Sequence, residues 1–249
     1  MKNLSSTTLL LLALSVTTFS GCGDKKNQAN IITTGKEQTA AIVKTPVINF
    51  KEAVYIDSTD YVMYPLSNKK GDSDGSYVKI GSRGETEIYW NIVFYNMVSK
   101  AFHLLDDKRK MIVVSYNAQD GGSEYSKYGN ITTVNTNDII FYSVVVTDYN
   151  KDGKLDLDDP SYLFISDKKG NSFKQISPEG LKVTGWKMIK QTGKVLIQAA
   201  ADSNNDKKFD NDDDNLPYVY DIKTGGIAQP VFNKNFTDST GMVLQKHWK

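Results

Sequence analysis

Val144–Gly180 reads VVVTDYNKDGKLDLDDPSYLFISDKKGNSFKQISPEG. A β-branched run enters, an acidic loop alternates oxygen-bearing residues with others, and an aromatic–aliphatic run leaves and ends at Asp167. A Lys/Gly turn at Gly170 then leads to a short closing run with Gln175. β-Branched and aromatic residues favour strands, and Asp, Asn and Gly favour turns. Ile197–Asn233, IQAAADSNNDKKFDNDDDNLPYVYDIKTGGIAQPVFN, follows the same order, with Asp221, Gly225 and Gln229 in the corresponding places. A weaker third copy is IVFYNMVSKAFHLL, Ile92–Leu105, where Tyr95-Asn96 precede a four-residue turn. Repetition at this spacing indicates one supersecondary unit used several times.

Outward from the repeat, short apolar runs alternate with Gly, Asn, Asp and Lys turns. They include YVMYPL (61–66), EIYWNIVFYN (87–96), MIVVSY (111–116), IIFYSVVVT (139–147) and YVYDI (218–222). No window keeps an apolar helical stripe over three turns, so the expected fold is all-β, built of antiparallel meanders. GMVLQKHW (241–248) is expected as a terminal strand. The lead-in LKVTGWKMIKQTGKVLIQ (181–198), with Trp186 and Gly193, and the YLFISDKKG…KQIS hairpin resemble the blades of TolB-type β-propellers. That resemblance covers Asp107–Asn233 well and Phe50–Leu105 loosely, and it implies a propeller-like array. Only about three units are recognisable, whereas closed propellers use four or more blades. An irregular or open array and a sandwich of meanders are therefore the alternatives.

The acidic loops carry the chemistry. Asp148, Asn150 and Asp152 stand at positions 1, 3 and 5 of the first loop, the Lys154 carbonyl at 7, Asp156 at 9 and Asp159 at 12. Calcium takes six to eight oxygens, and alternating oxygen donors on a tightly curled loop converge on it. Gly153 at position 6 permits the sharp turn, and Leu155 at position 8 is an anchor. The spacing resembles EF-hand and dockerin loops and FG-GAP repeats. Pro160 and the entering Val144–Val146 strand match the last best, so the resemblance is to the loop and not to a helical domain. Asp159 replaces the usual Glu and implies weaker binding. In the second loop Asp202, Asn204, Asp206, the Lys208 carbonyl, Asp210 and Asp213 repeat the spacing, and Phe209 matches Leu155. Lys207 replaces the position-6 glycine, so a left-handed lysine is expected at some cost. Asp212 and Asp214 add charge nearby. Ca²⁺ is the expected cofactor; a solvated acidic turn is the other reading.

The N-terminus reads as a targeting segment: Lys2, an apolar Leu9–Val16 run too short to span a bilayer, then FSGC ending at Cys22. This resembles a bacterial lipobox with Phe19 in place of the commoner Leu. It implies a signal peptide over 1–21 and a lipidated (palmitate-bearing) Cys22, and Gly23 rather than Asp after the cysteine points to sorting to the outer membrane. Cys22 is the sole cysteine, so the mature chain has no internal disulfide. Residues 22–49 are expected as a flexible tether and 50–249 as the β domain.

The formal charge of +1 gives no reason to expect a nucleic-acid partner. No GxSxG elbow, P-loop or dinucleotide fingerprint occurs, and His103 and His247 have no evident catalytic partner. No catalytic residue is assigned. Tyr125 and Tyr128, in the polar insertion 117–138, are candidates for contact with a protein or glycan partner. DST at 57–59 and 238–240 resembles a short bacterial O-glycosylation acceptor. The expected role is a cell-envelope binding or scaffolding module stabilised by Ca²⁺. An envelope or carbohydrate-directed enzyme and a calcium sensor are the alternatives.

Overall fold

The computed structural model describes residues 47–68, 77–79, 85–116 and 139–248, all within one compact unit, Thr45–Lys249. Cys22, Tyr125 and Tyr128 lie outside the described residues. The described chain is antiparallel β with one helix. The first sheet pairs β3 (Tyr61–Asn68) with β6 (Asn91–Asn96), and β6 with β7 (Phe102–Leu104). On the other side of β3 lie β1 (Ile48–Phe50) and β2 (Val54–Tyr55), two halves of one interrupted strand. β4 (Tyr77–Lys79) and β5 (Glu85–Glu87) form a separate hairpin.

The second and third sheets are four-stranded meanders in chain order. One is β8 (Ile112–Tyr116), β9 (Ile139–Val145), β10 (Ser161–Asp167) and β11 (Lys174–Gln175). The other is β12 (Leu181–Ile189), β13 (Lys194–Ala201), β14 (Asp214–Asp221) and β15 (Gln229–Pro230). The first sheet thus has five strands and the other two have four each, and among the described residues they form no closed ring.

The sheets stack in chain order, and the alternation of side chains on a strand explains how. Ile140, Tyr142, Val144 and Phe164 of the middle sheet join Met63, Ile92 and Phe94 of the first sheet in one core. Phe141, Leu163 and Ile165, one residue out of phase, join Val195, Ile197 and Tyr220 of the third sheet in a second core. Burial on both faces is why β9 and β10 read as nearly continuous apolar runs instead of alternating ones. In the second core Phe141 stacks on Trp186 at 4.3 Å.

The turn that closes each unit has a common cap. Asn96 Oδ1 accepts from Val98 and Ser99 N–H, Asp167 Oδ1 from Lys169 and Asn171 N–H, and Asp221 Oδ1 from Lys223 N–H. A short side-chain acceptor at the end of the strand satisfies the tight turn's free amides. Gly170 (φ +80°) and Gly225 (φ +71°) then take left-handed geometry.

Two expectations need correction. EIYWNIVFYN is not one strand: β5 ends at Glu87, and Tyr89 makes an isolated two-way bridge to Val113 before β6 begins. The expected terminal strand is a helix, α1 (Lys234–His247). Asn233 caps it by accepting from Phe236 N–H, Lys234 pairs with Asp238 one turn on, and Lys246 and His247 sit at the negative end of its dipole. β15 pairs with β14 only at Tyr218 and Val219 and ends at Pro230, and the chain beyond it leaves the sheet. The helix satisfies its own backbone groups instead.

Candidate metal centre

The two acidic loops occupy equivalent places: one joins β9 to β10, the other β13 to β14. Their internal hydrogen bonds agree position by position. At position 1, Asp148 accepts from Asp152 N–H (3.2 Å) and Gly153 N–H (3.0 Å); Asp202 accepts from Asp206 N–H (3.0 Å) and Lys207 N–H (3.1 Å). At position 3, Asn150 and Asn204 accept from Asp152 and Asp206 N–H, each at 2.9 Å. At position 5, Asp152 and Asp206 accept from Lys154 and Lys208 N–H. At position 9, Asp156 and Asp210 accept from Asp158 and Asp212 N–H.

The twelfth residue braces each loop. Asp159 is 1% exposed; its two oxygens accept from Tyr149 N–H (2.8 Å) and Asp156 N–H (3.2 Å). Asp213 does the same with Ser203 N–H (2.9 Å) and Asp210 N–H (3.0 Å). These bonds tie the loop's exit strand to its entry and middle. A carboxylate at this position is matched by N–H donors rather than by a neighbouring cationic side chain, which meets the requirement that a buried charge be hydrogen-bonded.

Backbone geometry also repeats. Positions 4 and 6 are left-handed in both loops: Lys151 (φ +61°) and Gly153 (φ +85°), then Asn205 (φ +60°) and Lys207 (φ +65°). The expected left-handed lysine is thus present. Its side chain turns to the other loop, where Nζ donates to the Asn150 carbonyl at 3.4 Å.

The loops touch each other, a feature that single-loop reasoning missed. Tyr149 donates from its hydroxyl to Asp202 Oδ2 at 3.0 Å, and its ring lies 5.1 Å from Phe209. Partial burial pushes the Tyr149 phenol up, and its hydrogen bond to the Asp202 carboxylate pushes it further. The signal in the sequence was an aromatic at position 2 of one loop and at position 8 of the other. Leu155, the other expected anchor, is half-buried.

By type, the donors are all oxygens: carboxylates, the Asn150 and Asn204 amides, and the carbonyls of Lys154 and Lys208. That set suits a hard cation and not a soft one. Among the described residues, no three His, Cys, Asp or Glu side chains are gathered into a metal cage; the loop carboxylates bond to their own backbone amides. Asp214 leaves the loop as the first residue of β14, and Asp212 is exposed.

The other expected positions are spread out. His103, in β7, stacks on Phe94 at 5.7 Å, and its Nε2 is buried without a hydrogen-bond partner among the described residues. His247 is exposed in the last turn of α1. Ser58 lies in the β2–β3 turn at φ +59°, and Ser239 lies inside α1. Near Phe164, Arg109 pairs with Asp106 and covers the Phe164 and Phe173 rings at 5.2 and 5.3 Å. Burial pushes the Asp106 carboxyl up, but the Lys108 and Arg109 amides and the Arg109 guanidinium together hold it below the usual carboxylate range. This is a structural clamp at the end of the first core.

No known family model matches the chain, and no curated protein matches it.

Proposed function

We propose that the chain is a binding or scaffolding module of the cell envelope, its propeller-like repeats stabilised by Ca²⁺ in two paired loops. What carries the reading is the duplicated loop: the same positions accept from the same backbone amides in both copies. Asp148, Asn150, Asp152, Asp156, Asp159 and the Lys154 carbonyl would hold one ion. Asp202, Asn204, Asp206, Asp210, Asp213 and the Lys208 carbonyl would hold the second. The cation supplies charge neutralisation: each loop crowds four carboxylates at these positions, and their repulsion opposes folding without it. Since each loop joins two strands of one sheet, and the loops touch, binding there adds directly to the stability of the second and third sheets.

The lipobox-like segment ending at Cys22 supports a lipid anchor at the outer membrane. Three antiparallel sheets packed face to face in chain order support the propeller-like description. What the module binds is a protein or a glycan.

The test is thermal denaturation in EDTA and in millimolar Ca²⁺. Ligand at 100 times its Kd stabilises by about 2.7 kcal/mol, which for a domain of this size is roughly 5–10 °C in Tm. An unchanged Tm overturns the cation's role. Asp148→Ala with Asp152→Ala removes most of the calcium-dependent shift. Incorporation of labelled palmitate that is lost in Cys22→Ser tests the anchor separately.

A further inference from the structure

Among the described residues, the large exposed apolar side chains fall almost wholly in two places. One is the first sheet, with Ile48, Phe50, Tyr55, Met97, Val98 and Phe102; the other is the C-terminal segment, with Val231, Phe232, Phe236, Val243, Leu244 and Trp248. Monomeric proteins seldom expose one such patch without a use for it. Here there are two.

On the first sheet, the face turned away from Met63 and Phe94 carries Phe50, Tyr64, Val93, Tyr95, Phe102 and Leu104. These six and His103 line an open cavity of about 530 Å³. Phe102 is 75% exposed. The middle sheet covers the opposite face, so this face is one of the two outer flanks of the stack, and it is the one that carries the exposed aromatics.

In α1, Phe236, Val243 and Leu244 share one stripe with Thr240, at the spacing of a face that packs. Phe232 stacks on Phe236 at 4.8 Å and extends the stripe, and Trp248, 84% exposed, ends it. No residue of α1 is buried.

The helix cannot fill the cavity of its own chain. Only Val231 and Phe232 separate β15 from the Asn233 cap, so α1 starts at the third sheet. The cavity lies on the far side of the first sheet, with the middle sheet between them. Stacked sheets are about 10 Å apart and a 14-residue helix is about 21 Å long, so the helix would have to wrap two layers while still covering the flank.

We infer that the protein forms a two-fold dimer in which α1 of each copy lies in the first-sheet cavity of its partner. Reciprocal exchange covers both patches on both copies and closes, whereas one-way contacts leave a patch bare at each end. The exposed aromatics suffice in area. Phe50, Phe102, Phe232, Phe236 and Trp248 together leave roughly 600 Å² uncovered per chain, taking about 200 Å² for a whole aromatic side chain. A two-fold pair then buries at least about 1,200 Å², the lower bound for a stable interface. This is independent of the cation reading, because neither patch includes a loop residue.

Cross-linking in the cell envelope tests it on the full chain. Phe102→Cys with Leu244→Cys in one chain gives a disulfide-linked dimer on mild oxidation, while each single variant gives no more than the wild type. No dimer in the double variant, or an equal dimer in the Leu244→Cys single variant, overturns the pairing. Sedimentation of the full chain carrying Cys22→Ser is the second measurement. Phe102→Glu and Leu244→Glu, both exposed and so neutral for folding, each weaken the dimer by at least about 30-fold. Mixing the two variants restores one of the two contacts and gives a mixed dimer. A Cys22→Ser chain that stays monomeric, or that instead binds vesicles of phosphatidylglycerol through α1, overturns the proposal.

Discussion

Single residues in this fold are constrained by backbone sign and by what lies within reach of a Cβ. At Gly170, φ is +80° and a Cβ would lie 2.6 Å from Phe94 Cε2, against a ring held in the first core. At Gly225, φ is +71° but the nearest atom is the mobile Lys174 Nζ at 3.9 Å. Gly225→Ala should therefore cost only the left-handed term, about 1 kcal/mol, and Gly170→Ala about 3 kcal/mol, measured by urea denaturation. Equal costs would mean that Phe94 gives way freely. Lys207 is the reverse case: at φ +65° it stands where the first loop has Gly153, and Lys207→Gly should raise stability by about 0.5–1 kcal/mol. Its strain was legible in the sequence from the loop's spacing. The need for Gly170 was not, because Phe94 lies 76 positions away and only the stacking of two sheets brings it there. Tyr116 gives a pH prediction. Burial, helped by the charge of Glu87, pushes its phenol from 10 up to about 12. The folded chain keeps the proton that the unfolded chain releases above pH 10. The stability is whole below pH 10 and is lost as pH rises through about 12, by roughly 2–3 kcal/mol. Urea midpoints at pH 8 and above pH 11 measure this fall, and Tyr116→Phe should make it smaller; an identical fall in that variant overturns the assignment. Tyr142, fully buried, shifts in the same direction and accounts for part of what remains.

Among the elements, the strands of the middle sheet were the easiest to read and α1 the hardest, for one physical reason. β9 and β10 are buried on both faces, so nearly every position is apolar and the pattern is redundant. The acidic loops were equally legible, since each position must carry an oxygen donor or a turn residue. The helix buries nothing, so no packing requirement shaped a continuous stripe, and Gly241 with several Ser and Thr residues dilute its propensity. GMVLQKHW alone then reads as a strand. The cap that decides the matter, Asn233, lies eight residues upstream. Asn233→Ala should cost about 1 kcal/mol of local helix stability, seen as a lower helical signal in far-UV circular dichroism. The urea midpoint of a dilute, monomeric sample should stay unchanged, because α1 contributes no buried side chain to either core. A parallel fall of both signals would show that the helix is packed on the domain. The contact between the loops was invisible for the opposite reason: Tyr149 and Asp202 are 53 positions apart and belong to different sheets. Tyr149→Phe keeps the ring against Phe209 but removes the hydrogen bond to Asp202. Stability should fall by about 1 kcal/mol, and tenfold or weaker coupling between the two loops should appear in calcium titrations.

At the scale of the molecule, three sheets stacked in chain order form a nearly one-dimensional array, with two cores and no third to close it among the described residues. In such arrays each unit is stabilised by its neighbours, so the middle unit has two stabilising interfaces and each outer unit has one. Local opening should then follow position in the stack rather than hydrogen-bond count. The amides of β9 and β10 should exchange slowest, near the global unfolding free energy. Those of β12–β14 should come next, and those of β1, β2 and α1 should exchange fastest. If the loops hold Ca²⁺ as proposed, it should sharpen the ordering, because the loops join strands of the second and third sheets. Adding Ca²⁺ should slow exchange in β9, β10, β13 and β14 by a common factor, roughly 100-fold for 2.7 kcal/mol, and leave β1, β2 and β7 close to their rates in EDTA. Native-state hydrogen exchange with and without EDTA measures both halves of this. A uniform slowing across all three sheets would mean that the array unfolds as one cooperative block, with the first core as strong a link as the second. Slowing confined to the loops themselves would mean that the cation fixes turns without reaching the sheets they join.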